Sequence, residues 1–87
     1  MYYQAKQIVI QFKKQIKGVI GIISYKPLFK LLLERDMTKT QLREHIGFST
    51  STLAKMSKNE YVSLEIIENI CIFLDCRIED VIEIRKS

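Results

Sequence analysis

Apolar residues recur along this chain at helical spacing from Pro27 onward, and polar residues with hydroxyl or amide side chains punctuate the pattern. Leu28, Leu31 and Leu32 fall on one face of a first helix that runs to Arg35-Asp36. Pro27 suits its first turn, because the N–H that proline lacks would be unpaired there anyway. Between Met37 and Asn59 the pattern predicts two short helices joined by a glycine. Thr38 can accept a hydrogen bond from one of the orphan N–H groups that open a helix, and Gln41, three residues on, completes a capping box. Leu42 and Ile46 lie one turn apart and form the apolar stripe, leaving Lys39, Arg43 and Glu44 to face water or a partner. Gly47 supplies the stop, since a residue at a helix end often needs positive φ and glycine adopts it without a Cβ penalty. Ser49 caps the following helix. Its Leu53 and Met56, with Phe48 just before, offer the contacts that hold it against its predecessor, while Thr50, Ser51, Thr52, Lys55 and Lys58 stay on or near the outer face. So short a turn forces the two helices to cross steeply.

Ser63 is a good N-cap for a fourth helix in which Leu64, Ile67, Ile70, Cys71 and Leu74 repeat every three or four residues. After a break at Asp75-Cys76-Arg77, the residues Ile78, Val81 and Ile82 can make one further helical turn that closes the core. The expected fold is therefore all-α, with five short helices. The two ends carry a different signal. Ala5, Ile8 or Val9, Phe12, Ile16 and Val19 or Ile20 fit a helical stripe, yet the alternation around Ile8, Ile10 and Phe12 fits a strand equally well, and the period does not decide. Beyond Gly18 and Gly21, the run from Ile22 to Tyr25 is rich in branched and aromatic residues, as is the run from Val81 to Arg85. Each alone would be an unpaired edge, so the two are expected to pair as a small strand element beside the helices.

With 87 residues, 47% of them hydrophobic, there is room for one small core and not for a second domain. No stretch approaches the roughly 20 uninterrupted apolar residues that a bilayer-spanning helix needs; Lys6, Lys13, Lys14 and Lys17 interrupt the apolar N-terminal run, and no membrane partner is expected. The two cysteines, Cys71 and Cys76, stand five apart with His45 the lone histidine, which is neither a zinc nor a disulfide framework. Reduced thiols and a cytoplasmic home follow. Cys71 reads as core packing, with redox sensing by the pair as the alternative. No metal, cofactor or small-molecule ligand is implied. Catalysis finds no support either: there is no glycine-rich phosphate loop, and no nucleophile is followed by a plausible base. Glu79 and Asp80, side by side, read as surface charge.

Charge distribution says more than the net +4. Residues 1 to 30 hold six lysines and no acid, residues 31 to 59 hold five basic and three acidic groups, and residues 60 to 87 hold three basic and seven acidic groups. Such asymmetry suits a protein whose first part and middle meet phosphates, because neutralising them releases counterions and supplies affinity without regard to sequence.

At Thr38 to Lys58 the chain resembles the Cro and lambda-repressor-like, or XRE-type, helix-turn-helix family of bacterial and phage regulators, and the resemblance extends over about residues 27 to 82. The Gly47 turn and the apolar Leu42, Ile46, Leu53 and Met56 carry it. One position departs from the family pattern: Arg43 stands where a small residue usually packs between the helices, although its long stem can lie along the surface. The resemblance implies a sequence-specific regulator of double-stranded DNA, with its first motif helix straddling the backbone and its second entering the major groove. By position, Lys39 with Thr38 or Thr40 would contact phosphate. Ser49, which caps the recognition helix, would also contact DNA, Thr50, Ser51, Thr52 and Lys55 would face base edges or flanking phosphates, and Lys58 would lie near the backbone. The family implies a repressor of phage or mobile-element type. One such helix reads only a few base pairs, so a homodimer with half-sites about one DNA turn apart is expected. On this reading residues 22 to 87 are the DNA-binding domain and residues 1 to 21 are an extension. The alternative is a protein-interaction or antitoxin-like module that uses the same fold without reading DNA, favoured by Arg43 and by a recognition helix without arginine.

Overall fold

A computed structural model describes residues 21 to 86. The extension expected over residues 1 to 21, and with it the undecided choice between helix and strand, lies outside the described residues except for Gly21. Two strands and four α-helices follow in order: β1 (Gly21–Ser24), α1 (Lys26–Glu34), α2 (Lys39–Ile46), α3 (Thr50–Ser57), α4 (Leu64–Leu74) and β2 (Glu83–Lys86). β1 and β2 are antiparallel, with Ile22 opposite Arg85 and Ile23 opposite Ile84. The expected pairing of the terminal segments is thus present, and the fold is mostly helical rather than wholly so.

The helix starts follow the local chemistry of the sequence. Thr38 accepts from the Gln41 N–H at 3.0 Å while the Gln41 side chain accepts from the Thr38 N–H at 2.9 Å, so two orphan donors are satisfied reciprocally. Ser49 accepts from the Thr52 N–H at 3.1 Å and Ser63 from the Ile66 N–H at 3.3 Å. The ends are built alike in three cases. Asp36, Asn59 and Asp75 each adopt positive φ, a conformation that Asn and Asp tolerate better than most residues. The next N–H then reaches back to the helix: Met37 to the Leu32 carbonyl, Glu60 to Lys55 and Cys76 to Cys71. α2 ends instead on Gly47, at φ 92, whose N–H donates to the Arg43 carbonyl at 2.7 Å.

The expected fifth helix is a single 3-10 turn at Ile78–Asp80. The Asp80 carboxylate accepts from the Arg77 N–H at 3.0 Å and opens the turn, while the Val81 carbonyl just beyond it accepts from the Leu28 N–H at 3.2 Å. A continuing helix would carry that carbonyl along its own axis and leave an orphan donor at the start of α1.

The core gathers Leu28 and Leu32 of α1, Leu42 of α2, Phe48, Met56 of α3, Ile67, Ile70 and Leu74 of α4, and Val81 around the fully buried Tyr25. Tyr25 follows β1 directly and sits at the head of α1. Its hydroxyl donates to the Glu60 carbonyl at 2.6 Å and its N–H to the Asn59 side-chain oxygen at 3.4 Å. Burial pushes its phenol above the ordinary tyrosine pKa, offset in part by a backbone hydrogen bond from Val62. Removing the hydroxyl in Tyr25→Phe should cost about 1 to 2 kcal/mol, read in urea as a lower midpoint at unchanged slope. A Cβ at Gly47 would meet nothing within 4 Å, so Gly47→Ala should cost about 1 to 2 kcal/mol through backbone conformation alone. An unchanged midpoint would show that α2 ends otherwise.

Candidate nucleic-acid interface

The turn between α2 and α3 is short because each of its residues has one task. Gly47 reverses the chain, Phe48 is buried and anchors it, and Ser49 is extended at φ −77, ψ 161 with its hydroxyl closing the first turn of α3. Arg43 is half-buried, and its Nη1 donates to the Phe48 carbonyl at 3.4 Å. The departure from a small residue therefore does not hold the motif apart. The stem lies along the surface and the guanidinium spans the turn.

α3 turns Met56 inward and leaves Thr50, Ser51, Lys55 and Lys58 exposed. Ser49 is exposed as well, whereas Thr52 is half-buried. The hydroxyls are partly committed to one another: Ser49 Oγ lies 2.9 Å from Ser51 Oγ and 3.0 Å from Thr52 Oγ1. Each hydroxyl carries one donor and two acceptor sites, so Ser51 and Thr52 keep capacity for an outside partner. Thr50 has no hydrogen bond to another side chain among the described residues. Thr38, Lys39 and Thr40 are exposed at the opening of α2. Lys39 does not wave freely, because its Nζ stands 3.9 Å from the centroid of the Phe29 ring, a cation–π contact that orients the ammonium group.

The electrostatics favour an anion at both helix openings. Neither α2 nor α3 has an acidic residue in its first turn, so the positive end of each helix dipole is left uncompensated. Among the described residues the ion pairs are Arg77–Glu79 and Arg85–Glu83, and none engages Lys39, Lys55 or Lys58. The structure thus places the nine expected contact residues on the two motif helices and their caps, eight of them exposed and Thr52 less so.

Two further residues belong to the same surface. Ala54 is exposed on α3 between Ser51 and Lys58, and its methyl could meet a thymine methyl in the major groove. The spacing of Ser51, Ala54 and Lys58 by three and four was its signal. Gln41 is exposed, and its oxygen is taken by the capping box, which leaves its amide N–H groups to donate to an outside acceptor. Read only as a cap, it gave no signal of a second use.

Among the described residues no group of three or more His, Cys, Asp or Glu could hold a metal ion, and no helix is long and apolar enough to cross a membrane.

Comparison with known proteins agrees with the geometry. No curated protein matches the chain. A crystal structure of the transcriptional regulator VanUg is similar at 48% identity and a TM-score of 0.75, over 77% of this chain and 89% of that one. A model of the Cro/C1-type helix-turn-helix DNA-binding domain matches residues 28–87. A family built to bind DNA is not one of enzymes. The chain belongs to the Cro/C1-type helix-turn-helix DNA-binding domains.

Proposed function

We propose that the chain is a transcriptional regulator that binds double-stranded DNA as a homodimer and represses genes of phage or mobile-element type from the cytoplasm. The observation that carries this reading is the outer face of α3, where Thr50, Ser51, Ala54, Lys55 and Lys58 are exposed. The similarity to the transcriptional regulator VanUg supports it. Residues 22 to 87 would be the DNA-binding domain and residues 1 to 21 an extension.

In this reading α3 enters the major groove by its N-terminal end. Thr50, Ser51 and Thr52 meet base edges, Lys55 meets a base edge or flanking phosphate, and Lys58 lies near the backbone. Ser49 holds the first turn in place and offers its remaining hydroxyl capacity to a phosphate. At the opening of α2, Lys39 meets a phosphate, held at the right height by Phe29, with Thr38 and Thr40 beside it. Hydroxyl groups donate and accept with little discrimination, whereas a good bidentate pair discriminates by about 1 to 3 kcal/mol. A recognition helix without arginine, asparagine or glutamine at its start is therefore a modest reader. Shape and ordered water would supply part of the choice, and a second copy on the adjacent half-site would supply the rest.

Binding to random duplex DNA across a salt series tests this. Log affinity should fall steeply with log salt. Lys39→Ala and Lys55→Ala should each weaken binding across all sequences and reduce the slope by about 1. Absence of binding at low salt would reject the reading in favour of a protein-interaction or antitoxin-like module. Phe29→Leu should weaken binding less than Lys39→Ala, because it frees the ammonium group without removing it.

A further inference from the structure

Three helix ends in this protein share one geometry, and they differ only in the side chains it brings together. At each, a residue with positive φ folds the chain so that the N–H of the residue directly after it reaches the carbonyl five residues before that donor. The closure sets the two residues joined by that hydrogen bond side by side, and a contact between their side chains commonly accompanies it. After α1 the pair is Leu32 and Met37, two apolar side chains, the first buried and the second packed on the core. After α3 it is Lys55 and Glu60, of opposite charge. After α4 it is Cys71 and Cys76, joined by an N–H···O bond of 3.0 Å. These are both of the cysteines in the chain. Each is a free thiol, half-buried rather than sealed in the core. Cys71 also borders a shallow groove with Leu64, Ile67, Glu68 and Ile78.

The chemistry of the pair narrows what it can take. A metal ion that wants three or four protein ligands is not served, since no third His, Cys, Asp or Glu completes a group among the described residues. Peroxide sensing needs a thiolate. The Cys76 thiol is pushed up to about 11, by burial first, then by the Cys71 thiol and the Asp80 carboxylate, against a smaller opposing effect of Arg35. It is therefore a neutral, slow nucleophile near pH 7. A trivalent arsenic centre makes no such demand. Each S–H condenses with one As–OH to give an As–S bond and a water molecule, arsenic stays in the +3 state, and no oxidant or reductant is consumed. Two thiols held side by side close a ring over one arsenic atom, and the second bond forms at the effective concentration set by the first.

We propose that Cys71 and Cys76, clasped by the turn that ends α4, form a two-thiol binding site for trivalent arsenic. The site lies on α4 and its exit turn, so it stands or falls independently of the DNA-binding reading. Titration of the reduced full-length protein with phenylarsine oxide tests it. One equivalent should bind, a dithiol such as 2,3-dimercaptopropanol should strip it, and a monothiol at equal thiol concentration should not. Cys71→Ser and Cys76→Ser should each weaken binding on the order of 100-fold or more. The chain unfolded in urea should bind at least tenfold more weakly than the folded protein. Release by the monothiol, undiminished binding by either variant, or equal affinity in urea would overturn the proposal. The monothiol and urea arms use the unaltered chain and do not depend on whether a variant folds.

Discussion

Tyr25 has no exposed surface, and its backbone and side chain make four separate connections. Its carbonyl accepts the Phe29 N–H at 3.1 Å and opens α1, its N–H donates to Asn59, its hydroxyl donates to the Glu60 carbonyl, and its ring lies in the core. Asn59 and Glu60 are the residues at which α3 ends. One side chain therefore sets the start of α1 against the exit of α3, with β1 attached on the other side. The Val81 carbonyl on the Leu28 N–H adds a second tie from the C-terminal segment to the same helix start. In a chain of 87 residues, where a small core leaves little stability in reserve, such polar ties between distant segments add direction to apolar burial. They fix the exit of α3 against the start of α1.

What could be read from the sequence was mostly local. Thr38 with Gln41, Ser49 and Ser63 announced three helix starts, and the structure has all three, because a cap depends on residues three apart. Gly47 announced the one end that needs a glycine. The other ends were less visible. Asp36, Asn59 and Asp75 take positive φ, but an aspartate or asparagine in a loop looks the same whether or not it does. Tyr25 was read as the tail of a β-like run. Its place at the head of α1 is decided by Asn59 and Glu60, more than thirty residues away, which no local pattern reports. The fifth helix failed for a similar reason, since the carbonyl of Val81 is claimed by Leu28.

The interface shows the same division. Helical spacing predicted which residues lie exposed on the outer face of α3 and at the opening of α2. It did not find that Ser49, Ser51 and Thr52 share hydrogen bonds, that Thr52 is half-buried, that Phe29 holds Lys39, or that Arg43 bridges the turn to Phe48. These are matters of three-dimensional neighbours. They also refine the chemistry: a set of hydroxyls that partly satisfies itself loses less on desolvation and discriminates less among partners, while uncommitted lysines supply attraction of a general kind. Membership of the Cro/C1-type domains fits that balance.

α3 and the opening of α2 are the surface proposed to meet DNA. An NMR titration of the isotope-labelled full-length protein with a short duplex measures this residue by residue. The largest amide shifts should fall at Thr38 to Thr40 and Ser49 to Lys55, with those of α4 nearly still. Shifts centred on Leu64 to Leu74, or none at all at low salt, would contradict it.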